Sequence, residues 1–83
     1  MLTIKYSNQA VKFLKKCDNI LAKRIINKIE LLSFNPFPQD VKVTQGQGFF
    51  RIRVGKIRIL YEVDNKNNLL GIVKIDKRNK VYS

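Results

Sequence analysis

Histidine and tryptophan are absent from this chain, cysteine occurs once and proline twice. Without histidine there is no imidazole general base, so any catalysis falls to other groups. One cysteine, Cys17, excludes an internal disulfide and fits a cytoplasmic protein. A structural zinc site would lack its usual ligands. No apolar run approaches the roughly 20 residues of a membrane span, and the N-terminus has no signal-peptide core. No membrane partner is therefore expected. Acids are scarce in another way: six Asp and Glu stand against seventeen Lys and Arg, a formal net charge of +11. That excess points to a polyanionic partner, most simply a nucleic acid, with an acidic protein as the alternative. At 83 residues and 45% hydrophobic content, the chain forms one small domain spanning 1–83.

What is present centres on residues 49–63. Two β-rich runs flank Gly55-Lys56, and a glycine first in a two-residue loop predicts a hairpin with a type II′ turn. Val54 then faces Ile57, Ile52 faces Ile59 and Phe50 faces Tyr61. These six share the buried side, because side chains alternate along a strand. The other side pairs Arg51 with Leu60 and Arg53 with Arg58. Like charges in direct opposition cost about 0.2–1 kcal/mol. Such a face is either a solvated strand surface or an anion site of three guanidiniums on a stiff sheet.

The rest of the chain supplies the covering layer. Residues 1–6 alternate as a half-buried strand. Ser7 or Asn8 can cap a helix that carries Ala10, Phe13, Leu14 and Cys17 on one face; Cys17 is read as a small core residue. Asp18-Asn19 offers a second cap, before a helix over 20–34 with Leu21, Ile25, Ile29 and Leu32 as its stripe. The short link predicts an antiparallel helix hairpin. Asn35-Pro36 ends the helix, and residues 41–44 read as a short strand. Gly46 and Gly48 precede a strand and lack the Gly-Lys-Ser/Thr ending of a phosphate loop, so that motif is rejected. Residues 64–68 read as a five-residue turn into a last strand over 69–75. Val63 is then expected opposite Leu69, Ile59 opposite Val73, and Tyr61 over Gly71. Lys74 falls beside Arg58, giving a row of Arg53, Arg58 and Lys74.

The resulting class is α+β: an N-terminal strand, an antiparallel helix hairpin, then a twisted antiparallel sheet of three to four strands. With these residues in place, the chain resembles the RelE/ParE toxin superfamily over nearly its whole length. The residues Phe50-Arg51-Ile52-Arg53-Val54-Gly55-Lys56-Ile57-Arg58-Ile59-Leu60-Tyr61 match the family hairpin Y-R-I-R-V-G-D-Y-R-V-I-Y. Lys77-Arg78-Asn79-Lys80-Val81-Tyr82 match its terminal H-R-R-x-V-Y. The resemblance implies a toxin of a type II toxin–antitoxin system, with a cognate antitoxin as partner. For a RelE-like mRNA interferase it further implies endoribonuclease cleavage of messenger RNA in the A site of the 30S ribosomal subunit.

The family's functional positions fall on Arg51, Arg53, Arg58, Arg78 and Tyr82. Arg58, Arg78, Tyr82 and Arg53 are the candidate catalytic residues; Arg51, Arg53, Lys74, Lys77 and Lys80 are the candidates for binding RNA phosphates. Cleavage by the 2′-hydroxyl needs no metal and no small-molecule cofactor. The chain departs from the family where RelE-type nucleases often carry hairpin lysines, here Arg51 and Arg53, and a histidine, here Lys77. Two alternatives therefore accompany the nuclease: a ParE-like inhibitor of DNA gyrase that acts by binding, and a degenerate toxin that only binds its antitoxin.

Overall fold

A computed structural model describes residues 1–43 and 48–77 of the chain. Strand β1 (Thr3–Tyr6) leads into helices α1 (Asn8–Lys16) and α2 (Asn19–Phe34). Strands β2 (Lys42–Val43), β3 (Phe50–Val54), β4 (Ile57–Asp64) and β5 (Leu69–Lys77) follow. The five strands form one sheet in the order β1-β5-β4-β3-β2. β2 to β5 are antiparallel neighbours, as expected of the segment after the helices, and β1 adds parallel to β5.

Both helices begin at the expected caps. Ser7 Oγ accepts from Ala10 N at 3.1 Å and Asp18 Oδ1 accepts from Leu21 N at 2.8 Å, each meeting a donor that has no partner within the helix. Only Cys17 and Asp18 separate the two helices. α1 packs on β5, and α2 crosses β1 and β3. Ala10, Ile25, Ile29 and Leu32 thereby join Ile52, Val54, Ile57, Ile59, Tyr61, Leu70, Ile72 and Ile75 in one core on one side of the sheet. Cys17 is partly buried, its thiol donating to Leu14 O at 3.6 Å. α2 is apolar on its outer side as well, where Ile20, Leu31 and Phe34 are 76%, 65% and 70% exposed.

The β3–β4 hairpin has the predicted register throughout, from Val54 opposite Ile57 to Phe50 opposite Tyr61. Gly55 has φ +60°, whereas Lys56 stays at negative φ, which is the type II′ pattern. Tyr61 is fully buried, and its hydroxyl donates to Pro36 O at 2.6 Å. Phe50 packs between Tyr61 (ring centroids 5.6 Å apart, tilted) and Phe37 (5.0 Å, edge to face). This cluster ties the segment after α2 to the sheet.

The β4–β5 register differs from the sequence expectation. The turn holds four residues rather than five, so Asp64 faces Leu69 and Tyr61 faces Ile72. Asp64 accepts from Asn67 N (3.1 Å) and Asn67 Nδ2 (2.8 Å), and Asn68 takes φ +59°, a conformation that asparagine tolerates better than most residues. A bulge between Leu60 and Tyr61 then leaves Val73 as the extra residue, and beyond it Leu60 faces Lys74 and Arg58 faces Asp76. Gly71 lies opposite Glu62, not Tyr61.

The bulged stretch is met by side chains remote in sequence. β1 stops at Tyr6 opposite Ile72, and side chains continue its ladder. Ser7 Oγ donates to Val73 O at 2.8 Å, and the Gln9 amide both donates to Ile75 O (2.7 Å) and accepts from Ile75 N (2.9 Å). Backbone groups of β5 that would otherwise lack partners at the end of β1 are met from the first turn of α1.

Candidate functional site

Opposite the helices, the sheet presents an open face whose charges are sorted by position. Two cross-strand rows lie near the Gly55 turn. One runs Lys42, Arg51, Leu60, Lys74; the other runs Arg53, Arg58, Asp76. Five cations thus face one carboxylate. Asp40 lines a depression with Lys42, Arg51 and Arg53, and Glu62 and Asp64 lie toward the other end of β4, near Lys5 and Thr3 of β1.

Arg53 and Arg58 stand in direct opposition, as the hairpin register requires. Arg58 is also gripped from its other side. Its Nε donates to Asp76 Oδ1 at 3.2 Å and its Nη2 to Asp76 Oδ2 at 3.4 Å. Lys74 Nζ stands 3.7 Å from the same Oδ2. The Arg58 and Asp76 side chains are 37% and 29% exposed, so this pair adds about 1 kcal/mol of stability at most. Its larger consequence is geometric, because two bonds to one guanidinium edge fix its plane. Arg51 and Arg53 have no acidic partner among the described residues.

The face carries two depressions. Arg51, Arg58, Leu60, Lys74 and Asp76 line a depression of about 180 Å³. Asp40, Lys42, Arg51, Ile52 and Arg53 line a neighbouring one of about 270 Å³. Arg51 borders both, and with Lys42, Arg53, Arg58 and Lys74 around them they make up a basic trough. Chemically, the trough offers cationic donors to the oxygens of a phosphodiester backbone.

Arg51, Arg53 and Arg58 share one face, as the sequence predicts. Lys74 is on it too, but beside Leu60 and Asp76, so the expected row of three cations is instead Arg53, Arg58, Asp76. The four-residue turn shifts the register by one and the bulge by one more; two shifts keep the face of Lys74 and change its neighbours. Lys77 does not join the group. It lies opposite Ile57 and lines a hollow with Phe13, Lys16, Cys17, Asp18 and Leu21 on the helix side. Arg78, Lys80 and Tyr82 lie outside the described residues. Sequence reasoning missed Lys42, placed by its pairing with Arg51, and Asp76, which emerges only once the bulge is known. Among the described residues, no group of three or more histidine, cysteine or acidic side chains is arranged to hold a metal ion.

Two helices on one side of a five-stranded mixed sheet, with a basic open side, define a small α+β domain of the RelE-like kind. The family of the ParE toxin of type II toxin–antitoxin systems (parDE) matches residues 4–82. The chain belongs to this family and is a toxin of a type II toxin–antitoxin system in the RelE/ParE superfamily. The archaeal RelE–RelB complex from Pyrococcus horikoshii OT3 contains a similar chain at 27% identity and TM-score 0.84, covering 96% of this chain and 98% of that one. The isolated RelE toxin of E. coli superposes with TM-score 0.85 at 13% identity, covering 99% and 89%. The YoeB/ParE toxin from Agrobacterium tumefaciens does so with TM-score 0.79 at 15% identity, covering 94% and 100%. These last two likenesses speak to the fold. No curated protein sequence matches the chain.

Proposed function

We propose that this toxin is an endoribonuclease that cleaves messenger RNA on the ribosome in the cytoplasm and is neutralised by a cognate protein antitoxin. The observation that carries the reading is the trough of Lys42, Arg51, Arg53, Arg58 and Lys74 on one face of the sheet. Arg53 and Arg58 stay opposed there, a costly arrangement for a surface without an anionic ligand.

RNA carries its own nucleophile. The 2′-oxygen attacks the adjacent phosphorus, the bond to the 5′-oxygen breaks, and the products are a 2′,3′-cyclic phosphate and a 5′-hydroxyl. Arg58 and Arg53 stabilise the charge that accumulates on the phosphoryl oxygens, a large contribution in such reactions. Arg78 donates a hydrogen bond to the leaving 5′-oxygen, which takes its proton from water. Tyr82, with an ordinary pKa of about 10, accepts the 2′-proton when the field of Arg51, Arg78 and Lys80 lowers it. The roles of Arg78 and Tyr82 are carried over from the motif. The ribosome supplies the orientation of the message that a shallow trough lacks.

The antitoxin reading is supported by charge and by apolar exposure. Exposed Ile20, Leu31 and Phe34 beside Lys23 and Arg24 on α2 suit a partner segment of mixed apolar and acidic residues. The structures similar to this chain include RelE bound to RelB. A second reading, inhibition of DNA gyrase by binding, is favoured by the family match to ParE.

Induction of the chain without a partner, followed by mapping of messenger RNA 5′ ends, decides between them. Cuts within translated frames, lost in Arg58→Ala and Tyr82→Phe, are the expected result. Growth arrest without cuts would establish the gyrase reading instead.

A further inference from the structure

We propose that Asp76 is the positioning residue of the arginine trough. It holds the side-on edge of Arg58 and thereby aims the end-on edge at a phosphodiester of the RNA backbone. The proposal rests on the RNA-cleaving reading above and adds a residue that no family motif supplied.

A guanidinium carries five N–H donors in a planar fork. Asp76 takes two of them, on Nε and Nη2. The Nη1 group and the outward N–H of Nη2 remain without a partner among the described residues. They form the second fork of the same plane, matched in geometry to two phosphate oxygens. Lys74 braces the carboxylate at Oδ2, so Asp76 is itself held between two cations. Arg53 pushes on Arg58 from the opposite strand. Without Asp76, that repulsion and the freedom of a long side chain would turn the guanidinium out of the depression it lines with Arg51, Leu60 and Lys74.

Electrostatics alone predicts the opposite outcome. Removing a carboxylate from a trough of five cations strengthens attraction for RNA. A positioning role predicts slower chemistry despite equal or tighter binding. The two accounts therefore separate in the split between rate and affinity.

The test is single-turnover cleavage of a defined message on programmed ribosomes, with toxin varied to saturation. Asp76→Asn is expected to lower the saturating rate by about 10–100-fold, the scale of a misplaced charge-stabilising group. The half-saturating concentration should stay the same or fall, and Asp76→Glu should recover most of the rate. In an Arg58→Lys background, where the edge no longer exists, Asp76→Asn should add less than about twofold. A wild-type or faster rate for Asp76→Asn, or equal losses in both backgrounds, overturns the proposal.

The NMR signal of the Arg58 Nε–H gives a readout independent of cleavage. It should be sharp in the wild type, and shifted and broadened in Asp76→Asn at unchanged melting temperature. An unaltered signal overturns the positioning role. If the wild-type chain cuts no RNA, the nuclease reading falls, and this signal alone decides the role of Asp76.

Discussion

Tyr61 joins the sheet to the segment that follows α2, and its removal can be followed quantitatively with pH. The ring is fully buried and its hydroxyl donates to Pro36 O at 2.6 Å. Burial, with a smaller contribution from the charge of Asp40, pushes its pKa up to about 12. Tyr61→Phe leaves the Pro36 carbonyl without its donor and should cost about 1–2 kcal/mol near neutral pH. A phenol with a raised folded pKa contributes stability that is complete below its unfolded pKa of about 10 and is lost as pH climbs toward 12. Linkage puts the wild-type loss at about 1.4 kcal/mol by pH 11 and about 2.3 kcal/mol by pH 12. Phenylalanine has no such loss. Lysine deprotonation and the other tyrosines act on both proteins alike. The difference between the two urea denaturation curves should therefore shrink above about pH 10, vanish near pH 11 and reverse by pH 12. Parallel curves across that range would refute the assignment of the raised pKa to a buried, hydrogen-bonded Tyr61.

Three further perturbations test the site and its support. Arg53→Thr removes the like-charge pair with Arg58 and should stabilise the fold by about 0.2–1 kcal/mol while weakening RNA binding; loss of stability would mean that the opposition is harmless. Arg53→Ala should reduce the slope of log affinity for single-stranded RNA against log salt by about 0.7 in magnitude, and an unchanged slope would remove Arg53 from the interface. Gln9→Ala deletes both bonds to Ile75 and should cost about 1–3 kcal/mol, with faster amide exchange at Ile75; an unchanged denaturation midpoint would detach Gln9 from the bulge.

Local signals carried the hairpin and the helices. Gly55-Lys56 fixes turn type and register together, so the opposition of Arg53 and Arg58 follows from eight neighbouring residues. Ser7 and Asp18 are capping residues in front of amphipathic runs, and both cap. The β4–β5 pairing was not legible in the same way. Asp64 and Asn67 close a shorter turn through side-chain bonds, and the bulged stretch is bonded to Ser7 and Gln9, 66 residues away in sequence from their partners. Nothing local to 69–77 distinguishes an even strand from a bulged one, since an even strand would bury Leu69, Val73 and Ile75 and the bulged one buries Leu70, Ile72 and Ile75, three apolar residues on either pattern. The parallel seat of β1 beside β5 is equally remote, and it sets where those side-chain bonds begin.

That remoteness bears on how the trough works. With an even β5 continuing the expected pairing, Arg58 would stand between Arg53 and Lys74, three cations in a line with no carboxylate to orient any of them. The shorter turn and the bulge together replace Lys74 with Asp76 at that point and move Lys74 to the next row. The trough stays basic because the shift is by two residues, which conserves the face. What changes is that one guanidinium is held by its side edge while the neighbouring Arg53 has no acidic partner among the described residues. A loose cation attracts RNA as well as a fixed one, but only a fixed one meets a developing charge without reorganising. Gln9 therefore bears on the site without touching it. Loosening β5 at Ile75 releases Asp76 next door, so Gln9→Ala should slow cleavage more than it weakens RNA binding. A variant that binds and cleaves at wild-type levels despite a frayed β5 would show that the trough needs only its charge.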